Sequence, residues 1–445
     1  MLNEKLDLYL KEGYYPFHMP GSKRSKILRS DLSYRRDLTE IYGFDNLNDP
    51  EDIFIQMEER LAQIYRVNKA IISTNGSTSG ILSTIRALCR DNKNILIQRS
   101  SHKSVYNACE LNSLNVSYTN IVTDEQLAIK DIDYENLEEK LKEKNYQALV
   151  LTSPSYEGYL LDLKRIYKLC RENNTKLILD MAHGSHLPLT NLYDNSFDLA
   201  ITSFHKNLSA LTPSAAVLIN DMEYFDEIKR NMAIFQTSSP SYVILQSIDE
   251  MIEKFESFDE LYKKLENNLD DLYKLKLDNI KLIEDSRKDK TKLLISTKNT
   301  NINGSDLEKL LREDRIEIEM SYPDYVLLIS TIFDTEDGFN RIKKSLRRID
   351  GLLGAKRKSY SLELPIPQKK LEIYEAINCK KKYVKVENSL GKIAGEFVYA
   401  YPPGSPIIAP GEIIDAEILA TINYMLDDNI HLNIKGEYIS VIIDK

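Results

Sequence analysis

Short apolar runs alternate with helix-spaced segments along the first half of the chain. Residues 51–67 carry helical spacing (Ile53, Met57, Leu61, Ile64). Ala70-Ile-Ile-Ser-Thr74 is a β-type run, Asn75-Gly-Ser-Thr-Ser-Gly80 a turn, and a helix is predicted from about Thr78 to Cys89. Further strands are predicted at Asn94–Gln98, Val116–Val122, Ala148–Thr152, Lys176–Asp180, Leu199–Thr202 and Ala216–Ile219. Helices are predicted from Lys103, over Asn136–Lys144 and over Leu163–Asn173. Short buried strands separated by helices predict an α/β layer fold with a mostly parallel sheet. Ligands in such sheets sit beyond the carboxyl ends of the strands. Asn75-Gly-Ser-Thr78, Ser153-Pro154, Asp180, Ser203 and Lys206 fall at those ends.

The flanks read differently. Residues 1–35 are polar and mixed, with a Pro/Gly kink at Phe17-His-Met-Pro-Gly-Ser-Lys23, and read as an arm. The large α/β domain is expected over 36–242. A long charged helical stretch runs on to about Leu275, and strands near Lys290–Thr297 and Asp324–Thr331 predict a smaller α/β domain over 243–354. Residues 355–368 read as a linker, and 369–445 as a C-terminal α+β domain containing the rigid turns Tyr401-Pro-Pro-Gly-Ser-Pro406 and Ala409-Pro-Gly-Glu412.

Charge and cysteine usage narrow the function. A net charge of −9 without any Lys/Arg block argues against nucleic acid as a partner. Four scattered cysteines without CxxC spacing read as reduced thiols of a cytoplasmic protein, with no structural metal expected. No apolar run reaches the ~18 residues needed to span a bilayer, and Met1-Leu-Asn-Glu-Lys5 lacks the pattern of a signal peptide, so no membrane partner is expected.

The candidate chemistry centres on Ser203-Phe-His-Lys206. A lysine ending a buried strand must be paired, deprotonated or covalently consumed, and an aldehyde cofactor consumes it as a Schiff base. A strand-end lysine reaching into solvent is the simpler reading of such a motif in isolation. Other motifs favour the chemical reading. Asn75-Gly-Ser-Thr-Ser-Gly80 opens a helix whose unsatisfied N–H groups, with the Ser77 and Thr78 hydroxyls, make a phosphate cradle; ordinary N-capping is the alternative. Asp180 ends an apolar strand, where its carboxylate could keep a pyridine nitrogen protonated or cap the next segment. His102 could stack on a cofactor ring or be a satisfied structural histidine. His183 and His186 have the i, i+3 spacing of metal ligands but no third ligand nearby. Of six histidines, five (His18, His102, His183, His186, His205) lie in these segments, where proton handling would be needed.

The order of these motifs resembles the bacterial ornithine/lysine/arginine decarboxylases, pyridoxal 5'-phosphate enzymes of fold type I, and in particular the short Gram-positive type without an N-terminal wing domain. The landmarks are Phe17-His-Met-Pro-Gly21, Asp37-Leu-Thr-Glu40, Asn75-Gly-Ser-Thr78, His102-Lys-Ser104, Asp180-x-Ala-His-Gly184, Ser203-x-His-Lys206, Thr237-Ser-Ser-Pro-Ser-Tyr242, Tyr401-Pro-Pro-Gly404 and Pro410-Gly-Glu412. The resemblance implies the seven-stranded, mostly parallel sheet of the pyridoxal-phosphate-dependent transferases. It implies Lys206 as the Schiff-base lysine, Asp180 on the ring nitrogen and His102 stacked on the ring. Ser77, Thr78 and Ser203 would hold the phosphate with His205 beside it, and His183 would approach the ring hydroxyl. Thr237 and Ser238 would reach the phosphate of a neighbouring subunit, making a homodimer with shared active sites, with higher assembly open. The implied reaction is decarboxylation of a small basic amino acid in polyamine-related metabolism. Lys206 and His205 are then candidates to protonate Cα, and Glu396 is a candidate for binding the cationic side chain.

The chain departs from the family pattern at Ser22, Asn46, Asn48, Met181, Pro213, Ala215 and Ser405. None of these removes an expected cofactor contact, but they bear on substrate choice and activity. Two competing readings remain. One is another reaction of the same cofactor, such as transamination, which needs an arginine for the substrate carboxylate; Arg99 and Arg86 are candidates. The other is a silent paralogue that binds cofactor or a partner.

Overall fold

The structure, a computed structural model, describes residues 1–445 other than 14, 17, 21, 355–365, 401–403, 428–429 and 445. Helices α1 (Leu2–Glu12) and α2 (Ile53–Tyr65) precede β1 (Lys69–Ser73) and α3 (Gly76–Leu88). Then come β2 (Asn94–Gln98), α4 (Lys103–Leu111), β3 (Asn115–Thr119), β4 (Ile121–Thr123), β5 (Ile129–Ile132), α5 (Tyr134–Glu143), β6 (Ala148–Thr152) and α6 (Leu163–Glu172). Strands β7 (Lys176–Met181) and β8 (Leu199–Ser203), the one-turn α7 (Phe204–Asn207) and β9 (Ala215–Ile219) complete the large sheet. Beyond it lie α8 (Phe225–Phe235), α9 (Tyr242–Lys254), α10 (Phe258–Tyr273), β10 (Lys281–Leu282), β11 (Lys292–Ser296), α11 (Gly304–Glu313), β12 (Met320–Tyr322), β13 (Tyr325–Ile329) and α12 (Glu336–Asp350). The last elements are α13 (Ile373–Ile377), β14 (Lys380–Lys385), β15 (Val398–Tyr399), β16 (Pro406–Ile408), α14 (Ala416–Asp427) and β17 (Tyr438–Asp444).

The seven-stranded sheet has the order β1-β9-β8-β7-β6-β2-β3. Strand β2 runs parallel to β3 and β6, and β7 parallel to β8, whereas β9 is antiparallel to both β1 and β8. Helices cover both faces of such a sheet, which is why β8 and β9 are buried along their whole length. The chain forms two compact units, each discontinuous in sequence: 1–88 with 177–262, and 89–176 with 263–445.

In the first unit Asp45 organises the entry to α2, its carboxylate accepting N–H bonds from Glu51, Asp52 and Phe54. The arm is more ordered than its composition predicts. Its helix α1 buries Leu2 and Leu6, and Asn3 is held by Asp249 and by the Gln246 carbonyl of α9. The charged stretch after Tyr242 is not one helix, because a single 3-10 turn at Phe255–Ser257 separates α9 from α10. In the second unit a four-stranded antiparallel sheet, β10-β11-β13-β12, carries the smaller layer, while β14 pairs with β17 and β15 with β16. The strand predicted at Val116–Val122 is two strands, β3 and β4. The predicted linker lies mostly outside the described residues, as do Phe17, Gly21 and Tyr401-Pro-Pro403 of the landmark motifs. Among the described residues no helix is long and apolar enough to cross a membrane.

Candidate functional site

The first unit brings Asp180, His183, Ser203, His205 and Lys206 to the carboxyl ends of β7 and β8. Asp180 sits next to the last residue of β7, paired in register with Ile201 of β8. It is 4% exposed, and its Oδ1 accepts the Ala182 N–H at 3.1 Å. Burial pushes its carboxyl up, opposed by the charge of Lys206 and by that N–H. Three residues beyond β8, in the one-turn α7, Lys206 places its Nζ 2.9 Å from Nε2 of His183. His205 points elsewhere, since adjacent helical residues diverge by about 100°. Its Nδ1–H donates to the Ser214 carbonyl at 2.8 Å, which makes Nε2 the acceptor nitrogen of the neutral ring. Burial lowers its pKa, the Ser214 carbonyl raises it and Lys206 lowers it further.

The phosphate-type cradle is built where β1 meets α3. Gly76 opens the helix at φ 74°, a left-handed conformation that favours glycine, and its N–H donates to the Pro213 carbonyl at 2.8 Å. The helix starts here, two residues earlier than its spacing predicts, so Ser77 and Thr78 lie in its first turn among the unsatisfied N–H groups. Gly80 lets α3 approach the sheet: a Cβ there would stand 3.0 Å from the Ile201 and Val217 side chains. Ala215 is paired in register with both Ser73 and Ser203, so the substitution at 215 keeps a small side chain between two strand ends. Ser203 Oγ and Thr74 Oγ1 are buried without a hydrogen-bond partner.

This arrangement suits pyridoxal phosphate. A helix N-terminus flanked by unpartnered buried hydroxyls fits an anion. A buried carboxylate with one backbone donor fits a cationic ring nitrogen. A lysine amine in the same unit supplies the attachment point. Among the described residues no group of three or more His, Cys, Asp or Glu could hold a metal ion.

Other expected residues are placed as follows. Thr237 and Ser238 are exposed, and Thr237 N–H donates to Asn75 Oδ1 of the same chain at 3.4 Å. Asn48, one of the departures, donates to the Thr237 carbonyl at 3.3 Å, a positional link that only its spatial neighbourhood reveals. Met181 is buried at the end of β7.

In the second unit His102 is the N-cap of α4. Its Nδ1 accepts the Ser104 N–H at 3.2 Å and lies 2.8 Å from Ser104 Oγ, so the ring proton sits on Nε2. Glu396 is exposed and accepts from the Tyr383 hydroxyl at 3.1 Å; it would meet a substrate only where a second surface covers it. Arg99, considered for a substrate carboxylate, is instead clamped to Glu412 (Nη1–Oε1 2.6 Å, Nη2–Oε2 3.0 Å), with both side chains buried. Arg86 is exposed on α3. Nothing local in the sequence signals the Arg99–Glu412 pair, which spans 313 positions; the apolar context of Ala409-Pro-Gly-Glu412 is the one available hint.

The chain matches the major domain of the Orn/Lys/Arg decarboxylases over residues 2–282 and their C-terminal domain over residues 363–429. It is 29% identical to the arginine decarboxylase of Halalkalibacterium halodurans across 93% of this chain and 91% of that protein. It is 26% identical to the Bacillus subtilis protein YaaO across 100% of this chain and 98% of that protein. The fold is similar to the lysine decarboxylase LdcF of Francisella novicida, with a TM-score of 0.85 at 18% identity, covering 99% of this chain and 81% of that one. With two family domains matched in order along most of its length, the chain belongs to the Orn/Lys/Arg decarboxylase family.

Proposed function

We propose that this protein decarboxylates a basic amino acid (arginine, lysine or ornithine) with pyridoxal 5'-phosphate attached to Lys206. The observation that carries the proposal is the convergence of Lys206, His183 and buried Asp180 at neighbouring strand ends, in a chain of this family. When bound, the cofactor supplies a pyridinium ring that withdraws the electrons left on Cα when CO2 departs. The protein's part is to place and charge that ring. Asp180 holds the ring nitrogen protonated, and a carboxylate kept in a dry site does so more strongly than one in water. The first turn of α3, with Ser77, Thr78 and Ser203, would bind the phosphate with His205 beside it, and His102 would stack on the ring. Lys206 would anchor the cofactor, and its amine would be the first candidate to return a proton to Cα. His205 is the second candidate for that proton. His183, hydrogen-bonded to Lys206, would exchange a proton with it and approach the ring hydroxyl.

In this reading the large domain over 36–242 carries the cofactor, and Thr237 and Ser238 complete the phosphate site of a neighbouring subunit in a homodimer. Polyamine-related metabolism is the setting. Of the two arginines considered for transamination, Arg99 is committed to Glu412. The test is borohydride trapping of added pyridoxal phosphate followed by peptide mapping, with product analysis on the three amino acids. Modification at Lys206 with an amine as product supports the proposal. Modification elsewhere, or a keto acid as product, contradicts it.

A further inference from the structure

We propose that the C-terminal residues Phe397–Tyr399 and Ser405–Glu412 form a strap that fixes the position of His102, with Ser405, Arg99 and Glu412 as its positioning residues. The proposal rests on the reading above that His102 stacks on the cofactor ring.

His102 ends a four-residue loop between β2 and α4, and that loop is gripped from both sides by the C-terminal part of its own unit. Two residues before His102, the Ser100 carbonyl accepts from Ser405 Oγ at 2.7 Å. Three residues before it, the Arg99 guanidinium binds both oxygens of Glu412 and donates to the Ile407 carbonyl at 2.9 Å. Glu412 is fixed in turn, because its Oε2 accepts the Ala409 N–H at 2.7 Å. The turn between these two residues has one solution: Gly411 has φ 90°, and a Cβ there would stand 2.4 Å from the Leu371 carbonyl oxygen. After His102 the grip continues. Lys103 Nζ lies 5.5 Å from the centre of the Tyr399 ring, and the Tyr106 ring meets Phe397 edge-on at 5.8 Å between centroids. The Tyr106 hydroxyl closes the loop on itself by donating to the Arg99 carbonyl at 2.6 Å.

The geometry assigns a use to a departure from the family pattern. Ser405 stands where the family usually has an aliphatic residue, and its hydroxyl makes the strap's hydrogen bond closest in sequence to His102. A ring that must lie flat against another tolerates little displacement, since misplacement of about 1 Å by a remote change can cost a hundredfold in rate. Ser101 N–H to the Gln98 carbonyl and Gln98 Nε2 to Ser100 Oγ hold the base of the loop, while Ser104 binds the His102 ring and the Val105 N–H binds its carbonyl at 2.9 Å, so the strap sets where that capping residue stands.

The test uses full-length protein with isotopically labelled histidine. With six histidines, the His102 ring resonance is assigned by its loss in His102→Gln. Ser405→Ala is expected to shift that resonance in the cofactor-free protein, leave the other five and the melting temperature unchanged, and weaken pyridoxal phosphate binding about two- to tenfold, the usual worth of one hydrogen bond. Ser405→Thr, which keeps the hydroxyl, is expected to restore wild-type behaviour, and Glu412→Gln to shift the resonance further. An unchanged His102 resonance in Ser405→Ala overturns the proposal. So does cofactor affinity that falls in His102→Gln but not in Ser405→Ala. A shifted resonance with wild-type cofactor affinity in His102→Gln upholds the strap and instead removes the ring-stacking role.

Discussion

Lys206 Nζ and His183 Nε2 lie 2.9 Å apart and share a hydrogen bond. An ammonium and an imidazolium have no acceptor between them, so this contact requires that the pair not be doubly protonated. The buried Asp180 carboxylate feels the charge of the same lysine. A proton held by either nitrogen is therefore felt by the other, and Asp180 is coupled to the pair through the lysine charge.

His183→Gln keeps an acceptor but does not titrate. The contact predicts that the pH dependence of cofactor attachment to Lys206 differs between wild type and variant, because His183 can hold a proton in place of Lys206 and glutamine cannot. Mass spectrometry of borohydride-trapped protein across a pH series checks this; superimposable profiles would exclude His183 as the proton partner of Lys206.

In the cofactor-free protein, burial costs the Asp180 carboxylate more than the Lys206 charge and the Ala182 N–H return, since its pKa lies above the ordinary carboxyl value. Asp180→Asn should therefore leave the cofactor-free protein at least as stable as wild type in thermal melts. Turnover should drop about a hundredfold or more, since losing one member of a buried charge pair is worth ~3–5 kcal/mol. A variant that is both destabilised without cofactor and fully active would contradict the role assigned to Asp180.

The Arg99–Glu412 pair is buried, with side-chain exposures of 4% and 1%. Burial lowers the Arg99 pKa and Glu412 raises it, and the net direction is upward, so the guanidinium stays charged. Glu412→Ala strands that charge and should cost ~3–5 kcal/mol in urea unfolding, whereas Arg99→Met with Glu412→Leu should recover much of the loss. A double variant as unstable as the sum of Arg99→Met and Glu412→Leu measured singly would mean the two side chains act independently.

Lys288 is buried in the second unit, donating to the carbonyls of Asp289 and Lys292. Burial lowers its pKa from 10.5 to about 8, against the pull of Asp289, Glu157, Asp124 and Asp285. Between those two values the unfolded chain binds the proton that the folded chain has lost, so this residue's contribution to stability rises with pH across that window and is flat below it. Wild type should thus gain roughly 3 kcal/mol relative to Lys288→Met between about pH 7.5 and pH 11 in denaturant titrations. A difference that does not change with pH would refute the lowered pKa.

The alternation of apolar strands and helices was legible because both faces of the central strands are buried, leaving continuous runs such as Leu199–Thr202. Strands β10 and β15, two residues each, carry no periodicity to read, and they exist through pairing with β11 and β16. Helix α1 was hidden in a polar arm because two residues, Leu2 and Leu6, make up its buried face. At the candidate site the residue types at strand ends were visible, but their partners were not. His183 with Lys206, Asn48 with Thr237 and Arg99 with Glu412 are contacts across 23, 189 and 313 positions, set by the sheet order and by the second unit's packing.

The most direct test of the central claim is release of labelled CO2 from arginine, lysine and ornithine carrying label in the α-carboxyl group. Purified wild type and Lys206→Ala would be assayed with and without added pyridoxal phosphate. The account predicts release from at least one of the three that depends on the cofactor and is abolished by Lys206→Ala. Wild-type protein that binds the cofactor yet releases no CO2 from any of them, or release that persists in Lys206→Ala, would contradict it.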